Sequence, residues 1–248
     1  MAKIMLITGA SRGIGAATAR AAAAAGYSVA INFARDAAAA DAVVQALHAM
    51  GATAVAIQAD VSRPEGAAQL FKEVDSQLGR IDVLVNNAGI VGRTDTIDAL
   101  GEADLNAVFA ANVYSCFYCS GQAIRRMAKS HGGAGGVIIN LSSVAARTGG
   151  FPKEAAYAAS KAAVDTFTLS LSKEVAPEGI RVVAVRPGLI ETTMHDAHGG
   201  QETLTRLAPS VPLGRVGSPE EVAQTVLWLA SPGASYIHGA LIDVSGGR

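Results

Sequence analysis

Tyr157-Ala158-Ala159-Ser160-Lys161 places a phenol and an ammonium at i and i+4, on one face of a helix. A cation beside a phenol favours the phenolate and draws its pKa toward working pH. Such a group gives a proton to a carbonyl oxygen or takes one from an alcohol. A second constellation lies near the start of the chain, in Thr8-Gly9-Ala10-Ser11-Arg12-Gly13-Ile14-Gly15. It follows a short apolar run and opens an alanine-rich helical segment. Glycines there permit a tight turn and let backbone N–H groups approach a pyrophosphate at the positive end of a helix.

These groups need elements to hold them. Short β-branched runs at residues 3–8, 28–33, 53–58, 81–86, 136–141, 180–186 and 240–244 read as strands, and longer helical segments separate them. Five of the runs are almost continuously apolar, as strands covered on both faces must be. The pattern predicts an open, doubly wound α/β fold with a parallel sheet. Helices are expected over 16–25, 106–127 and 154–176. Ser62-Arg63-Pro64-Glu65 and Ser218-Pro219-Glu220-Glu221 each read as a capping box with Ser as N-cap. Residues 188–217, rich in Gly and Pro and without a clear period, are expected to form a substrate lid within a single domain spanning 1–248.

Composition narrows the class. The 248 residues are 50% hydrophobic and 17% charged, enough to build a large core and too apolar for disorder. Twenty Lys and Arg against 21 Asp and Glu leave a net charge of −1, without the electrostatic footprint of a nucleic-acid binder. Residues 105–124 carry no charge, but Asn106, Asn112, Ser115, Ser120 and Gln122 make a buried helix the better reading than a membrane span. The two cysteines, Cys116 and Cys119, suit a reducing compartment, and a cytoplasmic location is expected. Their C-x-x-C spacing falls mid-helix, away from the helix N-terminus that would activate a thiol, so they read as structural.

In a dinucleotide fold, an acidic residue ending the second strand would bind the ribose 2′-hydroxyl. Here that end reads Ile31-Asn32-Phe33-Ala34-Arg35-Asp36. Phe33 or its neighbour takes the discriminating position, and Arg12 and Arg35 can both reach a 2′-phosphate. This favours NADP(H). A carboxylate at Asp36 keeps NAD(H) open as the alternative.

Together these residues resemble the short-chain dehydrogenase/reductase family, in its single-domain branch that includes 3-oxoacyl reductases and glucose dehydrogenases. The likeness covers the whole chain: Thr8-Gly9 to Gly15, Asp60-Val61, Asn86-Asn87-Ala88-Gly89, Asn112, Ser142-Ser143, Tyr157 to Lys161, Pro187-Gly188 and Thr192 occur in the family's order. The resemblance implies a Rossmann-type sheet of seven parallel strands and an NADP-dependent enzyme interconverting a ketone or aldehyde and an alcohol. Tyr157 would be the general acid/base, Ser143 would bind the substrate oxygen, and Lys161 would lower the Tyr pKa and hold the nicotinamide ribose. Asn112 would hold a water linking Lys161 to solvent.

For the cofactor, the resemblance implies Gly9, Ser11, Arg12, Gly13, Ile14 and Gly15 at the pyrophosphate and Asp60 and Val61 at the adenine. Asn86, Ala88 and Gly89 would line the adenosine ribose, with Asn87 among the binding residues. Pro187, Gly188, Ile190 and Thr192 would lie at the carboxamide, with pro-S hydride transfer.

Ser143 and Tyr157 are 14 residues apart, one more than in many members of that family, so the substrate wall is expected to differ. The substrate stays open among 3-oxoacyl thioesters, sugars or polyols with NAD, steroids and other carbonyls. A basic patch at Arg93, Arg125, Arg126 and Lys129 would suit an acyl carrier protein, although helix-end cations explain it as well. A catalytically silent dinucleotide sensor is the reading from another class, and the presence of Ser143, Tyr157 and Lys161 argues against it. His195 and His198 with Asp196 have too few neighbours for a metal site. The helices around 106–127 and 154–176 show apolar residues on more than one face, and with the resemblance this predicts a homotetramer.

Overall fold

The computed structural model describes residues 2–192 and 200–248. Met194, His195, Asp196 and His198 lie outside them. Seven strands form one parallel sheet: β1 (Ile4–Ile7), β2 (Ser28–Phe33), β3 (Ala54–Gln58), β4 (Val83–Asn86), β5 (Gly136–Leu141), β6 (Ile180–Pro187) and β7 (Leu241–Val244). Their order is β3-β2-β1-β4-β5-β6-β7, so the winding reverses between β1 and β4. At such a switch point the loops leaving adjacent strands diverge and open a crevice at the strand C-termini.

Strand parity divides the core between the two faces. Met5, Ile7, Val29, Ile31, Val85, Ile139 and Val183 pack under α1 (Gly13–Ala24), α2 (Ala37–Ala49) and α9 (Pro219–Ala230). Their sequence neighbours Leu6, Ala30, Leu84, Ile138 and Val182 pack on the opposite face under α3 (Pro64–Gln77), α5 (Ser115–Met127) and α7 (Ala155–Val175). Both sides of the central strands are therefore apolar, which is why their runs lack alternation. Each fully buried aliphatic side chain contributes about 2 kcal/mol.

Three expectations change. The capping box at Ser218 forms: its hydroxyl accepts from Glu221 N and the Glu221 carboxylate accepts from Ser218 N. That at Ser62 does not, because α3 starts at Pro64 with Arg63 in the N-cap place; the Ser62 hydroxyl donates to Asp60 at 2.6 Å. The helix expected over 106–127 is broken into α4 (Glu102–Phe109), a wide π turn at Ala110–Tyr114, and α5. The span 188–217 also holds a helix, α8 (Gly200–Leu207), whose Leu204 packs with Leu189, Val211 and Phe151. Between β5 and α7 lies a short helix, α6 (Ala145–Thr148). No helix among the described residues is long and apolar enough to cross a membrane.

Candidate active site

The turn from β1 into α1 is a cradle that tolerates no added methyl. Gly9 and Gly13 have φ of +62° and +56°. A Cβ on Gly9 would lie 2.9 Å from Ala88 Cα. The cradle is tied to the next strand by Asn87, whose side-chain amide donates to the carbonyls of Thr8 (2.8 Å) and Gly9 (2.9 Å). The Thr8 hydroxyl in turn accepts from the N–H groups of Asn87 and Ala88, both at 3.0 Å. At the helix start Arg12 stands as N-cap without a side-chain cap, so the first-turn N–H groups are left for a ligand. Positive helix end, uncapped donors and a surface bare of Cβ atoms together fit a dinucleotide pyrophosphate.

Asn32 was not singled out by sequence reasoning, yet it organises this end of the sheet. It is buried, donates to the carbonyls of Phe33, Ile57 and Ala59, and accepts from Gly9 N. The available signal was an amide interrupting an otherwise apolar strand. Phe33 itself is only 7% exposed and its ring belongs to the core, so the exposed residues at this strand end are Ala34, Arg35 and Asp36. Asp36 caps α2 by accepting from Ala39 N at 3.0 Å. Asp60 is exposed and accepts from Ser62 N, while Val61 is buried beside it. Asn86, expected along the ribose, instead lies in a buried network, donating to Asn140 (2.8 Å) and Ser120 (3.1 Å).

A cleft at the strand C-termini brings together residues that the sequence scatters. Ile14, Asn87, Ser143, Tyr157 and Lys161 line it, as do Pro187, Gly188, Ile190 and Thr192 from the end of β6. Ser143 follows β5, where its Oγ accepts from Ala145 N at 3.1 Å. Tyr157 and Lys161 share one face of α7, with the ammonium 5.8 Å from the phenol ring centroid. Lys161 Nζ donates to Leu141 O at 2.8 Å.

The electrostatics depart from the expected phenolate. Burial pushes the Tyr157 phenol up to about 12; a hydrogen bond with Ser143 works against this and Glu154 adds to it. Burial pulls Lys161 below the usual lysine range, with the negative side of Asp165 opposing. Loss of hydration is the largest of the causes acting on the phenol. The site therefore holds a neutral phenol, already protonated for donation.

Asn112 sits in the π turn and is fully buried. Its amide donates to Ile90 O and Ser160 Oγ, both at 2.9 Å, and its Oδ1 accepts from Ile90 N at 2.7 Å. A Cβ on Gly89 would meet Asn112 Oδ1 at 2.9 Å and Lys161 Nζ at 3.4 Å, so these two polar groups converge over a glycine.

The cysteines lie on α5 against the sheet, buried in the core. Burial pushes the Cys116 thiol up to about 11 and Cys119 higher still. Neither is expected to react with a thiol-specific reagent at neutral pH until the protein unfolds, whereupon both react; fast labelling of the native protein would contradict their burial.

A family model described as enoyl-(acyl carrier protein) reductase matches residues 9–248. The uncharacterized oxidoreductase YgfF of Escherichia coli (strain K12) is 44% identical over 245 residues, covering 99% of each chain. A 3-oxoacyl-[acyl-carrier-protein] reductase of Synechocystis is 43% identical across 99% of this chain and 96% of its own. Among solved structures, a short-chain dehydrogenase/reductase from Serratia marcescens superposes with a TM-score of 0.91 at 35% identity, over 99% of this chain and 97% of that one. A short chain dehydrogenase from Burkholderia cenocepacia, in complex with NADP, superposes with a TM-score of 0.88 at 35% identity over the same shares.

Proposed function

The chain belongs to the short-chain dehydrogenase/reductase family, an NAD(P)-dependent oxidoreductase acting on CH–OH groups, and from that premise we propose that it uses NADP(H) to interconvert a ketone or aldehyde and an alcohol, with Tyr157 as general acid/base. The observation that carries the reading is the convergence of Ser143, Tyr157 and Lys161 in one cleft with Ile14 of the glycine cradle. When bound, the nicotinamide supplies or accepts the hydride.

The chain's own groups handle the oxygen. Ser143 and Tyr157 hold the substrate oxygen between two hydroxyl donors, and these bonds strengthen as negative charge builds on that oxygen. Tyr157 Oη passes its proton to the oxygen when the carbonyl is reduced and takes it back when the alcohol is oxidised. Lys161, fixed on Leu141 O, stabilises the transient phenolate, and Asn112 offers a route by which its proton is restored. The segment at Pro187, Gly188, Ile190 and Thr192 orients the nicotinamide, and Gly9 to Gly15 holds the pyrophosphate.

Cofactor choice rests on the end of β2. Asp36 is engaged as a helix cap and no acidic side chain replaces it at Ala34, whereas Arg12 and Arg35 are exposed cations at the cradle. A 2′-phosphate meets attraction there, and the Burkholderia relative was solved with NADP. The described parts of the expected lid, residues 188–192 and 200–217, carry Leu189, Leu204 and Val211, which pack together with Phe151 of the cleft wall and suit a cover for the substrate. The exposed Tyr114, Phe117 and Leu169, on the turn before α5, on α5 and on α7, give a homotetramer its contact face, to be checked by sedimentation at micromolar concentration.

Separate fluorescence titrations with NADPH and NADH, followed by rates on a 3-oxoacyl thioester surrogate and a carbonyl panel, test the reading. NADPH is expected to bind at least about tenfold more tightly, which corresponds to one charge-assisted contact. Replacement of Arg12 and Arg35 by Ala should erase that margin. A preference for NADH, with oxidation of sugars or polyols only, would overturn it.

A further inference from the structure

Among the described residues, the charges lining the cleft are Lys161, Glu154 and Arg248. Lys161 is committed to Leu141 O, and the Glu154 carboxylate accepts from Phe151 N at 3.1 Å. Arg248 is different. Its guanidinium lies over the Phe151 ring at 4.5 Å, and its side chain makes no hydrogen bond or ion pair with any described residue. A solvated arginine on a surface would be ordinary, but this one is half-buried in the reaction cleft.

The chain is built to put it there. After β7, Gly246 and Gly247 turn the backbone back with φ of +65° and +94°, which L side chains rarely adopt. The Arg248 main-chain oxygen is then pinned by two donors, Arg147 Nη2 at 2.6 Å and Ser245 Oγ at 3.0 Å. Among the described residues no acid pairs with the guanidinium: Asp243 is held by Arg147 (3.0 Å) and Arg186 (3.6 Å), and Asp165 by Arg186 (2.7 Å). A planar cation with unspent donors, stacked on an aromatic wall, matches a carboxylate in geometry and charge.

Resting on the reading of the cleft as a carbonyl/alcohol site, we propose that Arg248 docks a carboxylate of the substrate, so that the enzyme acts on oxo acids and the corresponding hydroxy acids. The carboxylate pairs with the guanidinium beside Phe151 while the carbonyl lies against Ser143 and Tyr157. The connection between Ser143 and Tyr157, which carries Phe151 and Glu154, supplies the wall on which Arg248 rests.

The test uses the full chain with NADPH and a series of small oxo acids, acetoacetate, 4-oxopentanoate and 5-oxohexanoate, each beside its methyl ester. For the best-fitting length, kcat/KM is expected to favour the acid by at least about tenfold, the worth of a charge-assisted bidentate pair. Arg248→Gln should raise the KM of the acid by a similar factor, with a smaller effect on the ester, and Arg248→Lys should restore part of the difference. Calorimetric binding of the matching hydroxy acid to the protein saturated with NADP should weaken in parallel.

Equal rates on acid and ester, or acid binding indifferent to Arg248→Gln, overturns the assignment. Turnover of the esters that depends on Tyr157 would still leave the carbonyl-reductase reading standing. Carboxylate binding that depends on Arg248, with no reduction of any carbonyl, would strike that reading alone.

Discussion

Tyr157→Phe is expected to bind NADPH as the unsubstituted protein does and to turn over at least about a thousandfold more slowly, within the range set by loss of a positioned proton donor. The ring stays in place under Lys161 and the glycine cradle is untouched, so only the transferable proton goes. Single-turnover reduction beside a fluorescence titration separates the two effects, and a variant with undiminished turnover would sink the mechanism.

The same pair of proteins reads the state of the phenol. With its pKa raised from 10.0 to about 12, Tyr157 should contribute no tyrosinate absorbance until the pH nears that value. The sign for stability follows from linkage: the unfolded phenol ionises first, so the stabilisation of the neutral form is complete below pH 10.0 and is lost as the pH rises to about 12. A difference between the two proteins near neutral pH would mean that the phenolate dominates after all.

Gly15→Ala should do the largest damage to cofactor binding. Gly15 is buried at the start of α1, and a Cβ there would lie 2.6 Å from Asn87 Nδ2 and 2.8 Å from both Ala10 Cα and Gly9 O. Two of those three atoms are backbone, and the third is the amide that ties the cradle to β4. The methyl therefore has to push the cradle open or eject Asn87. NADPH affinity is expected to fall by at least about tenfold, and stability by about 1–3 kcal/mol, the usual cost of overpacking.

Gly26→Ala is the control. Gly26 has φ of +83° but nothing within 4 Å of the added atom, so it should cost about 1–2 kcal/mol of backbone strain and leave nucleotide binding alone. Comparable losses of affinity in both variants would show that the effect came through stability rather than through the cradle.

Much of this was legible in the residues themselves. Strand positions follow from apolar runs, since a strand covered on both faces must be apolar on both, and β2 and β5 fall where those runs lie. The Tyr157–Lys161 face needs only helical spacing, and the glycines of the cradle announce a close approach whatever its ligand. Each of these signals acts within a few residues, so local geometry suffices to read it.

The π turn that buries Asn112 is less visible, because its sequence is that of an ordinary helix and only the packing of α4 and α5 around it selects the wider turn. Ser62 shows the converse. Its spacing matches a cap, yet α3 begins one residue later, with Arg63 in the N-cap place and Pro64 after it, and the Ser62 hydroxyl serves the Asp60 carboxylate instead.

By itself, then, the sequence determined the α/β fold, the sheet's strands, the phosphate cradle and the acid/base pair, all of which depend on periodicity and on neighbours no more than a turn or two away. Tertiary structure alone decided the protonation of Tyr157, the inward place of Phe33 and the half-buried place of Arg248. Burial is a property of what the whole chain brings to a point. The contacts that set the substrate wall join residues 96 and 101 positions apart, Arg147 with Asp243 and with Arg248, across a sheet whose order no local pattern spells out.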